Sequence, residues 1–178
     1  MSARRRTGPA VLAALGVLAA GCSSAPRAVS STAVRFDDSG VSVTLTAHDW
    51  NAAGGTLDVD LAPDESGFHL YSTDLPPEGV DGVGRPTAVR VDGVLAEQSP
   101  LAVRAEVRRI TLAGSETPVP VYPDGPVHAT LKLRASGRGT ATVYVSYAAC
   151  SEAKGCLMPV LDHPVVLTVD SHGVTAAG

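Results

Sequence analysis

Two cysteines near the end of the chain have the spacing that disulfide chemistry needs. Cys150 follows a run of alternating apolar and polar residues, and after five further residues Cys156 stands where an apolar run resumes. If the two runs are the arms of a hairpin, opposed Cα atoms lie about 4.5–5.5 Å apart. A disulfide accepts roughly 4.4–6.8 Å. The spacing therefore predicts that this pair can close.

The spacing leaves the purpose of that disulfide open. A structural crosslink is the usual role of paired cysteines in an exported domain, and a redox-active pair is the alternative. The loop is short, so chain entropy predicts only about 2.4 kcal/mol of stabilisation. A domain of this size has enough core not to depend on such a link. Both interpretations remain at this point.

The N-terminus has the features of a bacterial lipoprotein signal. Three arginines, Arg4 to Arg6, precede an uncharged apolar run over residues 9–20. The run is shorter than the roughly 20 residues of a membrane span and has the length of a signal-peptide core. It ends in Leu18-Ala-Ala-Gly-Cys22, which resembles a lipobox. We predict a signal peptide over 1–21, a diacylglycerol on Cys22, and a lipid-anchored protein on the extracytoplasmic face of the cell membrane.

The remaining composition predicts one acidic domain between two short polar segments. Residues 22–34 lack apolar bulk and predict a flexible tether behind the lipid. A single domain is predicted over 35–170, and residues 171–178 are expected to be a disordered tail. The formal net charge of −4 becomes more negative once the signal peptide is removed. Nucleic acid is therefore not an expected partner.

Alternation with a period of two dominates the chain and predicts β-strands. The clearest runs are 41–45, 57–61, 127–134 and 141–147, with shorter ones at 68–71, 87–91, 101–112, 119–122 and 165–170. Glycine and proline separate them, and helical periodicity with caps is not evident. Short strands at this spacing favour an all-β antiparallel sandwich, with a barrel as the alternative.

The cysteine hairpin and two other segments resemble a known family. Tyr147-Ala-Ala-Cys150, five residues, then Gly155-Cys156-Leu-Met-Pro159 is similar to the hairpin of the N-terminal domain of DsbD-type thiol:disulfide interchange proteins. Gly67-Phe-His-Leu-Tyr71 resembles the Gly-Tyr-Tyr-Leu-Tyr strand of that family. Val121-Tyr-Pro-Asp-Gly125 and the strand after it resemble the segment that leads back to the hairpin. The resemblance implies an immunoglobulin-like sandwich.

What the resemblance implies for function is a relay of electrons by thiol–disulfide exchange. Cys150 and Cys156 would cycle between dithiol and disulfide, without a cofactor. His69 and Tyr71 fall on the strand that lines the family's cysteine site. The expected partners are a membrane-embedded thiol electron donor and thioredoxin-like or other exported disulfide proteins. The chain would be an oxidoreductase only if the pair is active.

This sequence departs from the family at the cover of the site. The family shields its cysteines with an acidic and aromatic cap, whereas the equivalent segments here, 82–86 or 114–118, contain no aromatic residue. Leu157 and Met158 replace the aromatic residue after the second cysteine. The family's transmembrane and thioredoxin-like domains are not expected here. A stand-alone lipoprotein would receive electrons from a separate membrane protein, with the lipid supplying proximity.

Local sequence assigns the exchange to Cys156. Gly155 leaves its sulfur open to an incoming disulfide, and the Lys154 ammonium could favour the thiolate, although Glu152 opposes this. Cys150 lies at the end of a strand behind Tyr147, so its sulfur is expected among strand side chains. His69 could accept a thiol proton, and a solvated surface histidine is the alternative.

The residues also allow two alternatives to the relay. A soft ligand set of the two cysteines, Met158 and His163 could suit copper, but exported thiols usually oxidise first, and no metal site is predicted. The other alternative is an immunoglobulin-like binding or structural lipoprotein with an inert disulfide. The redox state of the cysteines in the cell would discriminate between these functions.

Overall fold

The computed structural model describes residues 33–111 and 117–177, and the predicted signal peptide, Cys22 and most of the tether lie outside them. Its regular elements are strands, numbered here in chain order: β1 (Ala33–Asp38), β2 (Val41–Asn51), β3 (Gly54–Pro63), β4 (His69–Leu70), β5 (Ala88–Gly93), β6 (Leu95–Glu97), β7 (Ala102–Val103), β8 (Arg108–Ile110), β9 (Val119–Val121), β10 (Val127–Ala135), β11 (Gly139–Tyr147), β12 (Ala149–Ser151), β13 (Gly155–Cys156), β14 (Val160–Val169) and β15 (Val174–Ala176). Over the same residues, no helix has the length and apolarity of a membrane span.

Two antiparallel sheets face each other. The larger has the order β1-β2-β3-β10-β6, with β7 also paired to β10, and the smaller has the order β15-β14-β11-β5. The predicted strands over 41–45 and 57–61 are β2 and β3, which pair along almost their whole length. Those over 127–134 and 141–147 are β10 and β11. The strands form separate sheets, so the alternative of a closed barrel is wrong.

The apolar side chains of the alternating runs form the core between the two sheets. Val43 and Leu45 of β2 are buried while the residues between them are half exposed, and Val143 and Val145 of β11 follow the same pattern. These side chains belong to one apolar cluster that draws on both sheets. Each fully buried valine or leucine contributes roughly 1.5–3 kcal/mol of transfer free energy. The predicted fold class, an all-β antiparallel immunoglobulin-like sandwich, is confirmed at the level of architecture.

The ordered domain extends beyond both predicted boundaries. Strand β1 begins at Ala33, where a tether was expected to continue to residue 34, because Val34 and Phe36 pack against the core. At the other end, the expected disordered tail forms β15, paired with β14 through Val169 and Val174. Edge strands gain hydrogen bonds from a neighbour that is already in place, so short segments of weak propensity become ordered.

The run predicted over 101–112 is divided between two sheets. Strand β7 pairs with β10 at the edge of the larger sheet. The chain then leaves that edge, and β8 pairs instead with β9 in a separate two-stranded ribbon. Apolar alternation indicated the strand character of this segment, but it could not indicate a change of partner.

A small sheet at one end of the sandwich carries the cysteines. Its order is β13-β12-β4. The pairing of β11 with β14 is interrupted by an irregularity between Val145 and Tyr147, just before the chain enters β12. Such irregularities redirect a strand and its side chains. The small sheet thereby places the cysteine hairpin beside β4, which is far away in sequence.

Candidate functional site

The cysteine hairpin forms as the spacing predicted. Cys150 of β12 is the direct partner of Cys156 of β13, and Ser151 is the partner of Gly155. The two cysteines are joined by a disulfide, and their Cα atoms, 4.0 Å apart, are closer than the roughly 4.5–5.5 Å expected of opposed strand residues. Gly155 has a φ of 86°, a backbone conformation that glycine adopts without steric cost. This turn closes the short loop and brings the second cysteine back opposite the first.

The two halves of the disulfide differ sharply in exposure. Cys150 is only 2 % exposed, whereas Cys156 is exposed. Cys150 packs in a second apolar cluster that includes Leu75, Val121 and Ala148. Cys156 is therefore the half of the disulfide that faces solvent, and Cys150 is the shielded half.

Tyr71 supplies the polar contact to the sulfurs. Its hydroxyl oxygen lies 3.1 Å from Sγ of Cys150 and 4.0 Å from Sγ of Cys156. In the oxidised protein only the phenol can donate in this contact, because a disulfide sulfur has no hydrogen. Burial raises the pKa of Tyr71 above its ordinary value, so the phenol remains a protonated donor at neutral pH.

His69 lies in the same row of the small sheet. It is the register partner of Cys150, which in turn is the partner of Cys156. Paired residues on neighbouring strands direct their side chains to one face, with Cβ atoms about 4.5–5.5 Å apart. The His69 and Tyr71 rings also meet edge to face, with centroids 6.1 Å apart. The alternative of a solvated surface histidine is wrong, because His69 is 2 % exposed.

A carboxylate and a guanidinium stand behind His69. Its Nδ1 lies 3.5 Å from Oδ1 of Asp124, and the same oxygen lies 3.3 Å from an amino group of Arg108. Burial lowers the pKa of His69, an effect that the Asp124 charge opposes and the Arg108 charge reinforces. Nε2 of His69 is buried and has no hydrogen-bond partner among the described residues. His69 is therefore a neutral, buried base with one free ring nitrogen.

A glycine loop covers Tyr71 from the other side. Val80 and Val83 form a bridge within it, and Gly84 has a φ of 79°. A Cβ added to Gly84 would lie 2.6 Å from Cε1 of Tyr71. Of the two segments considered as a cap, 82–86 thus contacts the site through the Tyr71 ring, while 114–116 lie outside the described residues.

Two residues expected to flank the site have other contacts. Tyr147 is buried in the main core, where its hydroxyl donates to the Asp38 carbonyl at 2.8 Å. Burial is the main reason why the pKa of Tyr147 lies far above its usual range. The Lys154 ammonium is 2.8 Å from Glu65. Because that carboxylate largely balances its charge, Lys154 is less able to favour a Cys156 thiolate than its position in the sequence indicated.

The soft ligand set considered for copper is not assembled. The cysteines are joined to each other, Met158 is 77 % exposed, and Nδ1 of His163 lies 3.0 Å from the Asp38 carboxylate. His163 also stacks on Phe36. Within the described ranges, no group of three or more histidine, cysteine, aspartate or glutamate residues could hold a metal ion.

Sequence reasoning missed Asp124, Arg108 and the contact made by Gly84. Asp124 stands in the Tyr-Pro-Asp-Gly turn, where an aspartate is expected for its turn preference alone. Arg108 looks like any exposed strand residue. Alternation about Leu70 predicted that His69 and Tyr71 share a face, and the resemblance directed that face at the hairpin. Both residues lie beside Cys150.

The chain is similar in structure to the N-terminal domain of DsbD from Neisseria meningitidis, solved as a crystal structure in the reduced form. The match covers 78 % of this chain and 91 % of that chain, with 13 % sequence identity and a TM-score of 0.48. No protein-family model matches the chain, and no curated protein matches it. A likeness this remote assigns no family, so the chemistry has to be argued from the residues of this chain.

Proposed function

We propose that this chain is an extracytoplasmic thiol–disulfide interchange protein that relays electrons through a Cys150/Cys156 dithiol. The observation that carries the proposal is the unequal exposure of the two cysteines. Cys156 is exposed at the end of a hairpin, while Cys150 is buried against Tyr71. Exchange requires one sulfur open to attack and a second that can resolve the mixed disulfide. A crosslink that only stabilised the fold would need neither feature.

In the reducing direction, the Cys156 thiolate attacks one sulfur of a client disulfide. The client S–S bond breaks, a mixed disulfide with Cys156 forms, and one client sulfur leaves as a thiolate. The Cys150 thiolate then attacks Sγ of Cys156, which forms the Cys150–Cys156 bond and releases the second client thiolate. The client gains two electrons, and the dithiol of this protein loses them.

Regeneration runs the same exchange from the opposite side. A thiolate of the electron donor attacks Sγ of Cys156, and Cys150 leaves as a thiolate. The second thiol of the donor then displaces Cys156, so the donor is oxidised and the dithiol is restored. The Tyr71 hydroxyl lies 3.1 Å from the departing sulfur and can donate to its negative charge, because hydrogen bonds to charged groups are stronger than neutral ones.

The partners follow from the N-terminal sequence and from the resemblance of the hairpin. A lipid on Cys22 would hold the domain at the outer surface of the cell membrane. The donor would be a membrane-embedded dithiol protein, and the clients would be thioredoxin-like or other exported disulfide proteins. Anchoring raises the effective concentration of domain and donor at the same surface.

Matched single variants test the proposal directly. The purified Cys150→Ser and Cys156→Ser proteins are reduced and incubated with an oxidised thioredoxin-like protein, and mixed disulfides are resolved on a non-reducing gel. We expect Cys150→Ser to trap a mixed disulfide through Cys156, and Cys156→Ser to trap little because Cys150 is buried. The reverse pattern would reassign the attacking sulfur.

Absence of trapping with both variants would contradict the relay and favour the alternative function, a binding or structural lipoprotein with an inert disulfide. Alkylation of free thiols in intact cells supplies an independent measurement. A relay keeps part of the Cys150–Cys156 population reduced outside the membrane, whereas an inert crosslink is fully oxidised.

A further inference from the structure

The buried sulfur needs a route for its proton. When the Cys150–Cys156 bond re-forms, Cys150 must react as a thiolate, since the thiol is a poor nucleophile. Cys150 is buried in an apolar cluster, where water solvates an anion poorly and is slow to carry a proton away. Burial of this kind favours the neutral thiol. A neighbouring base would remove that obstacle.

We propose that His69 accepts the Cys150 proton through Nε2, and that Asp124 holds the resulting imidazolium in place. This inference rests on the proposed exchange function and assigns the proton transfer within it. His69 and Cys150 are register partners on β4 and β12. The free Nε2 is the one buried side-chain nitrogen or oxygen without a partner in the described chain. Asp124 contacts the other ring nitrogen, as the orienting carboxylate does for a catalytic histidine.

Each atom in the step is accounted for. The proton passes from Sγ of Cys150 to Nε2 of His69, which gives a thiolate and an imidazolium. The thiolate attacks Sγ of Cys156 in the mixed disulfide, the new S–S bond forms, and the client thiolate leaves. The imidazolium then returns its proton to the client thiolate or to water. Asp124 is a positioning residue here, because it contacts the histidine and not the sulfur.

The charged groups around His69 come from several elements. Asp124 and Glu152 favour the imidazolium, while Arg108 disfavours it, and burial lowers the pKa of His69 further. The resting histidine is therefore neutral at pH 7 and free to accept a proton. Tyr71, which directly follows β4, contacts Sγ of Cys150 through its hydroxyl. It donates to the thiolate, and His69 takes the proton, so the two residues have complementary roles.

The test separates the chemistry of the two cysteines in time. Reduced protein is mixed with one equivalent of an aromatic disulfide that releases a coloured thiolate. The first release reports attack by Cys156, and the second reports ring closure by Cys150. We expect His69→Gln to leave the first release unchanged and to slow the second roughly a hundredfold at pH 7, the lower end for a general base. The two proteins should converge at high pH, where Cys150 ionises without help.

Two further variants keep the result interpretable. Asp124 is half exposed, so the Asp124→Asn protein is expected to fold. This variant should slow the second release at neutral pH but not at high pH. His128→Gln is the matched control, because His128 has its own aspartate at 2.7 Å on the outer face of the larger sheet. If His69→Gln fails to fold, the pH profile of Asp124→Asn decides whether His69 is the base.

The outcomes are distinct. A second release that His69→Gln slows by less than about tenfold overturns the assignment, as does equal slowing at every pH, which indicates a structural effect. A wild-type protein that gives no first release contradicts the exchange function itself. Two releases in the wild type with an unaffected second release in both variants would leave the exchange function standing and remove His69 from it.

Discussion

Replacing Tyr71 by phenylalanine removes the hydroxyl that contacts the disulfide and leaves the rest of the buried ring in place. That hydroxyl lies 3.1 Å from Sγ of Cys150. A hydrogen bond to a charged acceptor contributes about 1.5–3 kcal/mol, compared with about 0.5–1.5 kcal/mol for a neutral one. The difference, about 1–1.5 kcal/mol, is what Tyr71 can add to the thiolate state over the disulfide state. It corresponds to roughly a five- to twelvefold change in rate.

The assay is the reduction of the Cys150–Cys156 disulfide by excess dithiothreitol, in which Cys150 is the leaving sulfur. Samples are quenched with an alkylating reagent, and the fraction of reduced protein is measured from its mobility shift on a gel. We expect Tyr71→Phe to be reduced up to about tenfold more slowly, an upper bound because the transition state carries only part of the charge. Stability of the oxidised protein should change little, since a disulfide sulfur is a weak acceptor.

Tyr147→Phe is the matched control for this experiment. Tyr147 is an equally buried tyrosine whose hydroxyl donates to the Asp38 carbonyl at 2.8 Å. Its loss should lower the free energy of unfolding by about 0.5–1.5 kcal/mol and leave the reduction rate unchanged. The reasoning is refuted if Tyr71→Phe is reduced as fast as the wild type, or if both variants slow the reaction equally.

Three further predictions concern the disulfide, its cover and the membrane anchor. Replacing both Cys150 and Cys156 by serine should cost only about 2–3 kcal/mol in denaturant unfolding, and a double variant unfolded at room temperature would identify the link as structural. Gly84→Ala should destabilise the protein by about 1–3 kcal/mol more than Gly82→Ala, because both glycines have positive φ but only Gly84 abuts a ring. Equal losses would contradict that contact. Cys22→Ala should release the protein from washed membranes with the domain still folded, and its persistence there would exclude the lipid anchor.

The aspartate and arginine behind His69 show why the polar part of the site was only half predictable. His69 and Tyr71 alternate about Leu70, so a strand assignment alone places them on one face. Asp124 reaches Nδ1 of His69 from a turn 55 positions later in the chain, and Arg108 comes from another strand. Nothing in local sequence distinguishes an aspartate that only shapes a turn from one that also contacts a buried histidine.

The edges of the domain were mispredicted for a related reason. Strands β1 and β15 are short. Val34 and Phe36 alternate with polar residues in β1 over only four positions, and β15 contributes a single buried residue, Val174. They are ordered because β2 and β14 already present unpaired backbone groups for them to bind. Propensity within six residues or fewer is a weak guide when the partner strand provides most of the stabilisation.

The sequence by itself determined the features that depend on local period and spacing. Alternation specified the strands and their buried faces, and five residues between two cysteines specified a hairpin that could close. Local sequence also indicated that Cys150 is the more buried half of the pair. Only the tertiary structure decided which atoms contact its sulfur and which segment covers it. Tyr71 meets Cys150 across 79 positions of sequence, and Gly84 meets the Tyr71 ring through a loop closed on itself. These contacts are selected by the packing of whole sheets, so short-range sequence patterns do not specify which atoms meet.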